Sequence, residues 1–330
     1  MAVPQQSTIA RRVAWTGTGL HGGERIEIAL CPGEVDTGIV FVSLGAGSDG
    51  GDVEIPARAA NVLSSSRATT LAAAAGGVVA ASGSATADDA PEGAAPVDRP
   101  TSVATVEHLL ATLYVLSIDN IRIELRGAEI PAMDGSAVEL LEQVRGAGRC
   151  EQAAPQRALT VRQPLVIEEG DRSIRVDPSD QLRISYAIDF AHPCIGRQSL
   201  EIAEVGEGVF DRELARARTF GFVHELAALH DAGLAHGGSF ENAIVLDETR
   251  VLNADGLRWP DEFVRHKVID LLGDLALLGM RLVGHVRVEK GGHRLHHHLV
   301  RALLDREGLD QPAKSSSSRA SAAVLAGSVN

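Results

Sequence analysis

Residues 265–274 read RHKVIDLLGD and place a histidine and two carboxylates at helical spacing. At 3.6 residues per turn His266 and Asp270 project from one face, with Asp274 one turn further along. Val264, Val268, Leu271, Leu275 and Leu278 mark roughly the opposite side as a core stripe, leaving a separate polar stripe. A neutral imidazole and a carboxylate so spaced can share a zinc ion at about 2.0–2.2 Å, and a catalytic zinc typically takes three protein ligands, with one position left for water. A third ligand must come from elsewhere. Residues 105–116, TVEHLLATLYVL, supply the pair Glu107-His108 in an otherwise apolar run. If His108 is that ligand, Glu107 points about 100° away around the helix. There a carboxylate can stand beside water at the metal without ligating it, which is where a general base is needed. By spacing alone, a surface hydrogen-bonding His–Asp pair stands ahead of the metal reading.

Other polar residues carry less. His296, His297 and His298 are consecutive, face different directions on a helix and cannot all converge on one ion, so they read as a solvated run. His21 lies in a glycine-rich turn, where a turn-stabilising hydrogen bond and a ligand contact are equal alternatives. Phe222 reads as a plain core residue. Cys194 follows His192-Pro193 with no base beside it, which argues against a nucleophile.

Composition excludes whole classes. Only 3% of the 330 residues are aromatic, which argues against base-stacking platforms for single strands. A net charge of -13 lacks the basic footprint that phosphate backbones require, so nucleic acid is not an expected partner. The three cysteines, Cys31, Cys150 and Cys194, are widely spaced without a CxxC pair, so neither a disulfide framework nor a cysteine zinc site is expected. Residues 1–15 contain no apolar signal region, and no apolar run reaches the roughly 18 residues of a spanning helix. The expectation is a soluble cytoplasmic protein. Lysine is scarce, confined to Lys267, Lys290 and Lys314, so a lysine inside the candidate motif is notable.

These side chains need elements to hold them. Residues 13–30 alternate around glycines as β-structure, and residues 71–99, rich in Ala, Gly, Ser, Asp and Pro, read as an insertion in a surface loop. A helix over 105–116, a strand over 121–125 and a helix that Asp134 would cap, ending near 144, complete the first half. The polar residues 146–156 form a boundary between domains 1–150 and 157–310. The second half carries short strands over 159–167, 173–176 and 182–190, helices over 211–216 and 224–232, and a strand over 243–246. The long helix over 261–278, a strand over 282–289 and a helix over 295–304 follow. Residues 311–330 read as a disordered tail. No internal repeat is visible, and the order of elements indicates mixed α/β units.

The segments TVEHLLATL, IDNIRIEL, EIPAMDGSA, RTFGF, GGSFENAIVLD, RVLNADGLRWPDEFVRHKVIDLLGDL and the GGH of residues 291–293 resemble, in order and spacing, the UDP-3-O-acyl-N-acetylglucosamine deacetylases. The resemblance spans residues 8–304, apart from 71–99. It implies an α+β fold of two domains of similar topology, each a sheet layered with helices, packed as a β-α-α-β sandwich with the site between them. It further implies one zinc per chain on His108, His266 and Asp270. Glu107 is the implied general base and His293 the second acid–base group, oriented by Asp274. Thr219 is implied to stabilise an oxyanion, Lys267 to contact substrate polar groups, and Phe220 to the end of residue 238 to form part of an acyl-chain passage. The implied reaction is hydrolysis of the 2-acetamido group of a UDP-acyl-sugar, releasing acetate, the committed step toward lipid A in a Gram-negative bacterium. Either Glu107 or His293 could return the proton to the leaving amine. A silent homologue that only binds substrate, and a metalloamidase with a changed acyl-sugar, are the alternatives; retention of every implied residue disfavours the first. No obligate protein partner is indicated, and transient contact with a membrane surface is compatible with an acylated substrate. The sequence departs from the family in the length of the 71–99 insertion and in Ala235-His236, where small or apolar residues are usual.

Overall fold

The structure is a computed structural model that describes residues 4–73 and 100–309. Two five-stranded sheets frame it. Along the first, hydrogen-bonded neighbours run Val13–Thr18, Arg25–Pro32, Ile121–Arg126, Ile39–Ser43 and Val53–Pro56. Along the second they run Leu165–Glu169, Arg172–Asp177, His285–Glu289, Arg183–Phe190 and Gly196–Ile202. In both, the strand that is last in the chain is inserted at the centre, antiparallel to one neighbour and parallel to the other. The topology is therefore duplicated, although the sequence shows no repeat.

Period-two patterning sets which faces are buried. In the first sheet Ile28 and Leu30 stand opposite Leu125 and Ile123, all buried. In the second, Val286 and Val288 lie between Val176 and Ile174 on one side and Ile184 and Tyr186 on the other. The helices are α1 (Glu107–Val115), α2 (Val138–Ala147), the short α3 (Glu207–Val209), α4 (Leu226–Asp231), α5 (Glu262–Ala276) and α6 (His293–Arg306), of which α3 and α4 bury no residue. α2 lies against the first sheet, α5 and α6 against the second, and α1 packs on α5. α1 is buried on every side, and α5 on nearly every side. The polar stripe expected on α5 is thus as buried as its apolar one. At the α1–α5 crossing, a Cβ on Gly273 would lie 2.1 Å from the Glu107 carbonyl oxygen, so only glycine allows the approach.

Several expected boundaries move. Residues 71 and 72 are not loop: Thr70–Ala72 is a strand between Val62–Ser64 and Ser102–Val103, with Leu71 fully buried. The rest of the expected insertion, from residue 74, and the expected tail lie outside the described residues. Residues 149–155 of the expected boundary form a strand paired antiparallel with Gln5–Ile9. Asp134 does not cap α2; its carboxylate accepts from Ser136 and Arg258 instead. The expected strand over 282–289 breaks at Gly284, because Arg281–Val283 pairs in parallel with Ala158–Thr160 and only His285–Glu289 joins the large sheet. Helix α6 begins at His293, earlier than expected.

Candidate active site

Helices α1 and α5 bring three donor atoms together. His266 Nδ1 donates to the Ala217 carbonyl at 3.0 Å, which leaves the Nε2 lone pair facing inward. That Nε2 lies 3.3 Å from His108 Nε2 and 3.4 Å from Asp270 Oδ1, and His108 Nε2 lies 3.7 Å from the same oxygen. Ligands about 2.0–2.2 Å from a tetrahedral centre stand roughly 3.3–3.6 Å apart, so the triangle matches a shared divalent cation. Burial lowers His266 to about 4 despite the pull of Asp270, keeping the imidazole neutral as ligation requires. Burial alone would raise Asp270, but Lys267 and His266 hold it well below the usual carboxylate range. The Lys267 ammonium donates to Asp270 Oδ2 at 2.5 Å.

Beside this triangle stand a carboxylate and a histidine. Glu107 is buried at the first position of α1, and burial raises its pKa in spite of His293 and His108. His293 opens α6, with Nε2 3.7 Å from Glu107 Oε1 and Nδ1 2.7 Å from Asp274 Oδ2. Burial would lower His293, but the charge and hydrogen bond of Asp274, with Asp270 and Glu107, raise it to about 9. Asp274 is wholly buried. Desolvation would raise its pKa, yet His293 and His297 hold it well below normal.

Asp274 collects more partners than expected. His296 Nδ1 donates to Oδ2 at 2.8 Å, and His297 Nε2 lies 3.0 Å from Oδ1. Burial lowers His296 to about 4, and the Tyr186 hydroxyl lies 3.0 Å from its Nε2. The expectation of a solvated run therefore fails for His296 and His297; only His298 is exposed, paired with Glu169 at 2.6 Å. Because α6 starts at His293, residues 296 and 297 fall at i+3 and i+4 and face the same carboxylate. That spacing was the available signal. Thr69 escaped the sequence reading altogether: its amide donates to Glu107 Oε2 at 3.1 Å and its hydroxyl to Asp274 Oδ1 at 2.6 Å.

A cavity of about 260 Å³ opens above these groups, lined by Glu107, His108, His266, Asp270, His293 and Thr219 at its polar end. Phe220, Phe222, Leu226, Leu229 and Ala235 make the other end apolar. Thr219 is pinned by its amide on the Gly135 carbonyl and its carbonyl on the Ile244 amide, both at 2.8 Å. Phe222, expected in the core, is half-buried and forms cavity wall, stacked obliquely on Phe190 and His224. A second, polar cavity of about 560 Å³ shares Thr219, Phe220, His266, Asp270 and His293, and adds Lys267. Arg67 pairs with Glu225 at 2.8 and 3.1 Å, and both residues line both cavities. The turn at His21 is closed by Glu129, which accepts from the backbone amides of Leu20, His21 and Gly22; the buried Nδ1 of His21 has no hydrogen-bond partner among the described residues, and His21 lines the first cavity.

A duplicated α+β fold with a buried His–His–Asp triangle, a raised carboxylate and a cationic histidine defines the metal-dependent hydrolase class. Within it, residues 6–305 match the family described as LpxC, UDP-3-O-acyl N-acetylglycosamine deacetylase, and the chain belongs to that metalloenzyme family. Relatives named UDP-3-O-acyl-N-acetylglucosamine deacetylase include that of Anaeromyxobacter sp. (strain Fw109-5), 42% identical over 299 residues, covering 91% of this chain and 88% of the relative. That of Myxococcus xanthus is 42% identical, with 91% and 86% covered. That of Oleidesulfovibrio alaskensis is 42% identical, with 92% and 90% covered.

Proposed function

We propose that the chain hydrolyses the 2-acetamido group of UDP-3-O-acyl-N-acetylglucosamine, giving UDP-3-O-acyl-glucosamine and acetate, with one zinc per chain on His108, His266 and Asp270. The observation that carries this reading is the donor triangle at 3.3–3.7 Å with Glu107 and His293 at its rim. Zinc bound there supplies Lewis acidity to the amide carbonyl and to the attacking water. Glu107, whose pKa burial raises so that its carboxylate is a stronger base than a solvated one, accepts a proton from that water as the new C–O bond forms. His293 carries positive charge, with Nδ1 fixed by Asp274, and its Nε2 is the proton source for the departing nitrogen when the C–N bond breaks. The Thr219 hydroxyl donates to the oxyanion, and its backbone pinning keeps it preorganised. Lys267 neutralises Asp270 and faces the polar cavity, where it meets substrate polar groups. Phe220 begins the apolar wall that takes the acyl chain.

This reading treats residues 1–150 and 157–310 as two domains and places the reaction at the committed step of lipid A synthesis in a Gram-negative cytoplasm. Among the described residues no helix is long and apolar enough to cross a membrane. The acyl chain is the reason for transient contact with a membrane surface, and no obligate protein partner is invoked. The test is acetate release by metal-stripped protein with and without one equivalent of zinc, beside Glu107→Ala. Zinc-restored activity that collapses at least about 100-fold in the variant is expected of a general base. Stoichiometric zinc binding without acetate release at any acyl length would sink the proposal.

A further inference from the structure

We infer that Thr69 is a positioning residue for this hydrolysis, holding the base Glu107 and the carboxylate behind His293 in fixed register. The inference rests on the reading above and goes beyond it, because Thr69 touches neither the donor triangle nor the acyl wall. It is fully buried and immediately precedes the strand Thr70–Ala72. Its backbone is tied to the first turn of α1: the Val106 amide donates to its carbonyl at 3.4 Å, and its own amide donates to Glu107 Oε2 at 3.1 Å. With Oε2 so engaged, Oε1 is the oxygen turned toward His293.

The side chain reaches the other way, to α5. Its hydroxyl donates to Asp274 Oδ1 at 2.6 Å and lies 3.0 Å from His297 Nε2 and 3.3 Å from His293 Nδ1. A hydroxyl has one proton and two lone pairs, so the donation to Asp274 leaves it able to accept from an imidazole. Asp274 thereby takes two donors on each oxygen: Thr69 and His297 on Oδ1, His293 and His296 on Oδ2. With all four in place the carboxylate plane is fixed, and with it the imidazole of His293. Removing the hydroxyl leaves Oδ1 with His297 alone, and the carboxylate can rotate about its Cβ–Cγ bond. One residue thus sets both proton carriers, Glu107 through its amide and His293 through Asp274.

The test compares wild type with Thr69→Val, which keeps shape and amide but lacks the hydroxyl, and Thr69→Ser, which restores it. Each zinc-loaded protein is assayed for acetate release from UDP-3-O-acyl-N-acetylglucosamine, with zinc content and Tm measured alongside. In zinc-free protein the downfield imidazole N–H resonances are recorded by NMR. Thr69→Val is expected to lower kcat by about 10–100-fold, the usual effect of losing an outer partner of a metal site. Its KM should stay within about twofold, and Thr69→Ser should recover most of the loss. The His293 Nδ1–H resonance should move in the valine protein and return in the serine one. Unchanged kcat in Thr69→Val, equal losses in both variants, or a loss confined to KM would overturn the inference. If the valine protein does not fold, Thr69→Ala against Thr69→Ser carries the same comparison. If wild type releases no acetate, the deacetylase reading fails by itself, and an Nδ1–H resonance that does not move in Thr69→Val separately overturns the positioning role.

Discussion

The two halves of the molecule share one strand plan, yet they divide the chemistry unequally. In each, the four outer strands of the large sheet come first in the chain, and a long helix, the central strand and a final helix follow after intervening shorter elements: α1 and α2 in the first half, α5 and α6 in the second. The equivalent helices α1 and α5 meet between the sheets, and the site lies at their crossing. There α1 contributes Glu107 and His108, and α5 contributes His266, Asp270 and Asp274. The closing helices differ more. The turn before α6 delivers His293 into the site, whereas the turn before α2 delivers Asp134 to Arg258 and no group to the donor triangle. Duplication accounts for the shared interior, and the asymmetric turns decide which half brings a histidine, His293, beside Glu107.

If the centre is truly shared, removing a ligand from either half should have the same consequence. His108→Ala and His266→Ala should each lose stoichiometric zinc and drop acetate release by more than the roughly 10–100-fold of an outer partner. Metal content and turnover measured on the same samples check this. A His108 variant that retained zinc and rate would assign the metal to α5 alone. The crossing itself can be strained next. Gly273→Ala places a methyl against the Glu107 carbonyl, and overpacking of this kind costs about 1–3 kcal/mol. Gly146→Ala, on α2, meets nothing within 4 Å and should stabilise by up to about 1 kcal/mol through helix propensity. Urea midpoints should therefore move in opposite directions, with activity falling only for Gly273→Ala.

Spacing alone offers His266 and Asp270 at i and i+4 and the adjacent Glu107-His108 as candidates, but it ranks a surface His–Asp pair first; the family resemblance is what joins His108, His266 and Asp270 as ligands. The roles of His293, Asp274, Thr219, Lys267 and Phe220 rested on family resemblance, since no spacing links residue 293 to residue 107. Thr69 was illegible because a single threonine beside a low-complexity stretch has no periodic signal, and its partners are 38 and 205 residues away. His296 and His297 were hidden by a helix start placed two residues late, after Gly291-Gly292, which removed their common face with His293. The duplication was equally hidden. Alternation reports which strands are half-buried, but not that Ile121–Arg126 and His285–Glu289 insert between earlier strands, a pairing set by contacts far apart in the chain.

The smallest expected effect tests the asymmetric turn of the first half. Asp134 joins the halves, donating nothing itself and accepting from the Arg258 guanidinium at 2.8 Å and from Ser136. Burial would raise its pKa, but Ser136 and Arg258 together bring it below the usual value, while it raises neighbouring Glu139 on α2 alongside the effect of burial. A carboxyl lowered on folding contributes stability that is fully present above its unfolded pKa of about 3.9 and is lost as pH falls through the folded value. Asp134→Asn, which cannot ionise, should cost about 1 kcal/mol near pH 6, as expected for a partly buried charge-assisted pair. The gap between wild type and variant should narrow as pH falls below about 4. Urea midpoints at a series of pH values measure it. A gap that stays constant with pH would mean that shape, rather than charge, ties this turn to Arg258, and that the two halves are joined there by packing alone.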